Sequence, residues 1–281
     1  MAISTLDELL AAMRGGNYRL PFNKASILSQ IAGIDASLWT AAGFPVAGAI
    51  PGAFAVCASG LAGSLPLAAR SGAQNRIISR MAEALSTVNA SLLIEDRLGH
   101  MGGLNGTLTT AQAANANIHA NIGVSNLAQR IGNADYSEIE WFLEFYTATG
   151  ATSVTPTAQV TFNDATTGSV NINNLGATTL PATVSGARRY KLSPTNGKYI
   201  RSVDTVTLSA TTGAAGNFGV TAVRNLATCP FVGSAASQQL AYDVWALNAP
   251  EIYDSACISF AINCATTSSG TLSGAIQQSV N

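Results

Sequence analysis

From residue 137 onward the chain alternates. Ile139, Trp141, Leu143 and Phe145 interleave with Glu140, Phe142, Glu144 and Tyr146, and Ala256, Ile258, Phe260, Ile262 and Cys264 interleave with Cys257, Ser259, Ala261 and Asn263. A two-residue period places one set of side chains on each face of a strand. Similar runs recur at 159–162, 169–172, 201–209, 218–223 and 271–277, separated by glycine-bearing turns at Gly168, Gly176, Gly186, Gly197, Gly213, Gly216 and Gly270. Many short strands with glycine turns and few helices predict a mainly β fold, an antiparallel, jelly-roll-like β-sandwich. Trp141 belongs to the inward set and is expected to anchor the core.

The rest of the chain is less regular. Thr5 or Ser4 caps a helix over 4–14, with Asp7 or Glu8 closing a capping box, and Leu6, Leu9, Leu10 and Met13 form its apolar stripe. Residues 1–16 therefore read as an N-terminal helical arm whose stripe is a candidate contact. Residues 17–281 read as a single β-sandwich body. Its first part, 17–75, is irregular and rich in Gly and Pro, with short strands at 37–40 and 53–57. An antiparallel pair is expected over 76–98, turning near Thr87. Residues 99–134 read as a long loop or insert, with a helix through 110–120 as the alternative, and regular strands fill 137–281. A helix over 237–248 interrupts them, with Leu240, Val244 and Leu247 inward and Pro250 closing it.

Charge is scarce. Lys, Arg, Asp and Glu make up 10% of the 281 residues, against about 25% in ordinary soluble domains. Interface cores are depleted in charge, so a subunit that buries surface against partners needs less of it. A homo-oligomer is expected. The 14 basic residues are scattered and the net charge is −1, which gives no footprint for nucleic acid. Arg188-Arg189 reads as a solvated strand end. Glycines and prolines interrupt the apolar runs over 41–69, so no membrane helix is expected there, and the first residues lack the basic and apolar regions of a secretory signal. Cys57, Cys229, Cys257 and Cys264 lack C-x-x-C spacing; buried thiols are expected, though a disulfide in any of three connectivities is allowed.

Chemistry concentrates in Ser91-Leu92-Leu93-Ile94-Glu95-Asp96-Arg97-Leu98-Gly99-His100. On a strand Glu95 and Asp96 face opposite sides and cannot share one bond as acid and base. Asp96 shares its face with Leu92, Ile94 and Leu98. It is expected to be an inward structural anchor that needs a charged partner or several backbone N–H groups; Arg97 is excluded by parity, and an arginine from another strand is one option. The turn is placed at Gly99 to Gly103. A hydrolase built on Asp96, His100 or His119, the only two histidines included, lacks the spacing of a metal site. Tyr136, Trp141, Phe142, Tyr146 and Trp245 read as core or interface aromatics before a sugar site. No catalytic, cofactor or metal residue is nominated.

Leu93 to Leu98 with its Asp-Arg-Leu ending, His100 with Gly102-Gly103-Leu104, the run Trp141 to Gly150, Arg201 to Ser209, Gly216 to Thr221, Tyr253 to Cys257 and Gly270 to Gly274 together resemble a group of tailed-bacteriophage virion proteins, over most of residues 17–281. The segment 107–131 departs from that pattern. The resemblance implies a structural protein of the virion, assembled in the host cytoplasm. A capsid decoration or cement protein contacting the major capsid protein and itself is expected, a trimer by analogy. The alternative is a tail, baseplate or fibre component binding a host surface, carbohydrate included.

Overall fold

The structure is a computed structural model that describes residues 5–15, 18–25, 31–70, 75–85, 90–122, 130–184, 186–195, 197–230, 238–264 and 270–280. Its first nine strands are β1 (Tyr18–Lys24), β2 (Asp35–Ser37), β3 (Gly43–Phe44), β4 (Ala55–Val56), β5 (Arg76–Leu85), β6 (Ala90–His100), β7 (Gln112–Asn117), β8 (Ile139–Thr147) and β9 (Pro156–Phe162). The others are β10 (Thr167–Asn173), β11 (Arg188–Leu192), β12 (Ile200–Leu208), β13 (Asn217–Pro230), β14 (Gln238–Asp243), β15 (Ile258–Cys264) and β16 (Leu272–Val280). Helices are short: α1 (Leu6–Gly15), α2 (Ile118–Ile122) and α3 (Val244–Leu247).

The fold is mainly β and the strand ladders are antiparallel, as the alternation predicts. Its centre, however, is a closed ring where two facing sheets were expected. β2, β15, β6, β13, β8 and β11 pair in that order, and β11 pairs back to β2. From β11 a ribbon of β10, β9, β12 and β7 continues outward. A second sheet runs β14-β5-β16-β1-β3.

Each flank covers one outer side of the ring. Trp141, Leu143, Phe145, Tyr190, Phe218 and Val220 point out of it and pack with Val160, Val170, Val203 and Val206 of the ribbon. On the other side Leu92, Ile94, Phe260 and Ile262 pack with Phe22, Ile78, Met81 and Ile276 of the five-stranded sheet. The apolar set read from the alternation is thus the outside of the ring, held dry by its flanks.

Several sequence expectations change. β5 and β6 are strands but not a pair: β5 lies between β14 and β16, and β6 lies in the ring. The expected turn near Thr87 lies outside the described residues. The 99–134 stretch is not a plain loop, since it carries β7 and α2, and β6 itself runs on through Gly99 to His100. The expected helix over 237–248 is a strand, β14, up to Asp243, and helical only at Val244–Leu247. Pairing with β5 supplies backbone partners that outweigh local helix preference. β15, whose alternation of apolar and small polar residues suits a half-buried strand, is buried on both faces.

At the N-terminus the capping box forms on Thr5 and Glu8. The Thr5 N–H donates to Glu8 Oε2 at 3.1 Å and the Glu8 N–H to Thr5 Oγ1 at 3.2 Å. α1 packs against β16, yet Leu6 and Leu10 stay 58% and 38% exposed. The side chains of Leu9 and Met13 lie outside the described set.

Candidate functional site

The inner face of the ring carries the polar members of the alternation. β6 and β11 stand three strands apart in either direction around the ring, yet Arg189 Nη1 of β11 donates to Glu95 Oε2 of β6 at 2.7 Å, and Arg189 Nη2 donates to Glu95 Oε1. Such a fork crosses the lumen. An eight-stranded barrel is just wide enough for side chains to fill, so in a six-stranded ring those from opposite walls meet directly. Arg189 also reaches Asp35 Oδ2 at 3.3 Å and lies over the Phe142 ring, 4.3 Å from its centroid. Asn263 holds the other Asp35 oxygen at 2.6 Å.

Deeper in the lumen is a second cluster. Arg97 Nη2 donates to Glu144 Oε2 at 2.6 Å and to His100 Nδ1 at 2.8 Å, and lies 3.2 Å from the Tyr146 hydroxyl. Thr221 Oγ1 donates to Glu144 Oε2 at 2.5 Å. A guanidinium only donates, so His100 Nδ1 is the acceptor and a neutral ring carries its proton on Nε2. Trp39 closes this end. Its ring lies 4.8 Å from the Arg97 guanidinium carbon and meets His100 edge-on at 5.1 Å. Gly48 and Gly63 make room for the indole: a Cβ there would meet Trp39 ring atoms at 2.1 and 2.8 Å.

A bulge assembles this cluster. Across β13, Gly99 faces Ala222 and Arg97 faces Val223, so Leu98 is an extra residue on β6. The extra residue resets the alternation, and Arg97 and His100, an odd number apart, come to one face.

Asp96 points out of the ring and is 3% exposed. Arg130 grips it with a fork, Nε to Oδ2 at 2.9 Å and Nη2 to Oδ1 at 2.5 Å, and the Cys257 N–H donates to Oδ1 at 2.8 Å. The partner left open by the sequence is an arginine from the segment just before Ile131, together with one backbone N–H. Arg130 further donates to the carbonyls of Cys57 and Arg97 at 2.7 and 3.0 Å. Arg188 and Arg189, expected at a solvated strand end, are buried. β11 is a ring strand with neighbours on both edges, which removes the solvent.

The candidate catalytic set does not come together. Asp96 binds Arg130 and the Cys257 N–H, His100 binds Arg97, and His119 contacts the Tyr136 hydroxyl. Among the described residues no group of three His, Cys, Asp or Glu side chains has the arrangement of a metal site. Tyr136, Trp141, Phe142 and Tyr146 are buried, and the Trp141 Nε1–H donates to the Ile200 carbonyl at 2.9 Å; the side chain of Trp245 lies outside the described set. The lumen opens beside Asp35, Arg189, Glu140 and Lys191 into a cavity of ≈ 230 Å³. Its charges are already matched, Lys191 with Glu140 and Arg189 with Asp35 and Glu95. The arrangement can lock six strands in register.

Sequence reasoning missed Arg130, Arg189, Glu144, Trp39 and the closeness of Cys57 to Cys257. One signal was present: in a chain so poor in charge, Glu95-Asp96-Arg97, Glu144 and Arg188-Arg189 sit inside strands. Comparison of the chain with protein-family models, curated proteins and solved structures finds no match.

The cluster makes acid stability a readout. Burial raises the Glu144 carboxyl, but the Arg97 charge and the Thr221 hydrogen bond overcome it and hold the group at about 2. A carboxylate depressed in the fold stabilises it above the unfolded value, roughly 4.3, and loses that contribution as pH falls towards the folded value. The contribution at neutral pH is about 3 kcal/mol. Glu144→Gln should therefore lose about that much stability at pH 7, and the gap from wild type should close between about pH 5 and pH 2. Urea unfolding of both proteins across that range checks it.

Proposed function

We propose that this chain is a non-enzymatic structural subunit of a bacteriophage particle. Its role is that of a capsid decoration or cement protein, which stabilises the head by packing on the major capsid protein and on copies of itself within the virion. The observation that carries this reading is where the charge lies. Among the described residues seven basic and three acidic side chains are buried, in a chain with 14 and 15 of them, so a chain already poor in charge spends at least a third of it inside. The exterior that remains is built largely of Ala, Ser, Thr, Asn and Gly, and Phe44, Val46, Ile50 and Leu61 are exposed within 43–61. Such a surface suits permanent packing against neighbours better than life as a free monomer. The cross-braced ring suits a part that must hold its shape under load. In this reading the ribbon and the five-stranded sheet are the outer layers of a jelly-roll-like sandwich that encloses the ring.

Labelling of the chain in intact particles tests the proposal. Signal over the whole head supports it; signal confined to the tail tip favours the second reading, a tail, baseplate or fibre component binding a host glycan. One feature favours that second reading: a groove of ≈ 330 Å³ lined by Lys191, Ser193, Lys198 and the 40% exposed Tyr199. Deleting residues 1–16 removes the exposed Leu6 and Leu10, and is expected to weaken attachment to particles at least tenfold in a sedimentation assay. Equal binding by the truncated and intact chains would remove the arm from the interface.

A further inference from the structure

Cys57 and Cys257 are 200 positions apart in the chain and carry no recognisable spacing. The fold brings them together. Both are fully buried, and with Trp39 they form a separate cluster at the capped end of the ring. Their side chains are neighbours in that cluster, and neither thiol is in a disulfide. The backbones around them are pinned. The Cys57 N–H donates to the Leu98 carbonyl at 3.0 Å and its carbonyl accepts from Arg130. The Cys257 N–H is held by Asp96 and its carbonyl accepts from the Arg97 N–H at 2.8 Å. Two neighbouring cysteines are thus held in place by partners on both sides.

We infer that Cys57 and Cys257 are a built site for an intramolecular disulfide, closed when the chain meets a peroxide or a disulfide oxidant. The surroundings assign the roles. Cys57 lies near His100, which pairs with Ala55 two residues before it and meets Trp39 of the same cluster edge-on. The hydrogen bond from Cys257 and, against the cost of burial, His100 and the Arg97 charge hold the Cys57 thiol below the ordinary value. The Cys257 thiol is pushed up by its bond to Cys57 and by burial. A thiolate is the attacking species in such chemistry. Cys57 attacks hydrogen peroxide, its S–O bond forms as the O–O bond breaks, and the departing hydroxide takes a proton to become water. Cys257 sulfur then attacks the Cys57 sulfenic sulfur and expels the second oxygen as water, carrying the Cys257 proton. The sum is two thiols and one peroxide giving one disulfide and two waters. Oxidant enters when the loop between β3 and β4 opens, since β4 is held to β6 by only two residue pairs. The bond ties that loop to the entrance of β15, over Trp39, and closes a very long loop of chain, where cross-links constrain the unfolded state most.

The test uses the intact chain. Wild-type protein is treated with millimolar hydrogen peroxide, or refolded in a glutathione redox buffer, then alkylated in denaturant without reduction and digested. The expected result is one cross-linked peptide joining Cys57 to Cys257, two hydrogens lighter than the sum of its parts, with Cys229 and Cys264 alkylated individually. The oxidised protein should melt several degrees higher and return on reduction. In Cys257→Ser, Cys57 should react with a sulfenic-acid probe after peroxide. Alkylation of both Cys57 and Cys257 as thiols under both treatments, or a cross-link joining either to another cysteine, overturns the inference.

Discussion

Arg189→Met is expected to destabilise the protein by about 3–5 kcal/mol, because it strands a buried Glu95 carboxylate on the far wall of the ring. Glu95 is 1% exposed and Arg189 supplies both ends of its fork; water cannot replace the lost donors. Glu95→Leu should cost a similar amount, since it leaves the guanidinium with only the long ion pair to Asp35 and the face of Phe142. The double replacement Glu95→Leu with Arg189→Met should recover most of the loss, since removing both charges leaves no orphan and two apolar chains of similar reach fill the lumen. Denaturant unfolding of the four proteins, read as a double-mutant cycle, gives the coupling. If each single variant loses less than about 1 kcal/mol, solvent reaches the pair and the sealed-lumen description is wrong.

The second large effect is expected at Arg130. Arg130→Met removes the fork on Asp96 and, with it, the donors to the Cys57 and Arg97 carbonyls. One side chain thereby serves four acceptor atoms on three residues of two segments. A loss of about 4–5 kcal/mol is expected, and Arg130→Lys should recover little of it, because a single ammonium cannot reproduce a planar fork. Asp96→Asn should be milder, about 2–3 kcal/mol, since an amide keeps one acceptor for Arg130 and the Cys257 N–H. Hydrogen exchange gives an independent reading: in Arg130→Met the amides of Cys57 and Cys257 should lose protection before those of β8 and β13.

Both predictions concern charges whose importance the sequence only half revealed. The stretch around Asp96 drew attention by its residue types, and its parity correctly separates Asp96 from Glu95 and Arg97. It places Asp96 with Leu92, Ile94 and Leu98, the face that packs outside the ring. What parity leaves open is where the other face goes. On an open sheet Glu95 and Arg97 would face water. In this fold they are buried because the sheet closes.

The β class, a capping box at the start of the first helix, and the place of most strands in the second half were settled by the sequence itself; which residues close the box was not. Each rests on a period or a spacing of a few residues, and such signals act through neighbours along the chain. Closure of the ring, the partners of β5 and β6, the conversion of residues 238–243 to strand and the meeting of the two thiols were decided by tertiary structure. The counter-charges lie 34 residues from Asp96, 47 from Arg97 and 94 from Glu95, and the Leu98 bulge that turns His100 inward exists only against β13. Long-range pairing selects among registers that look alike locally. Once six strands close, the inward face away from its open end has no solvent left, and each charge buried there must find its opposite inside the ring.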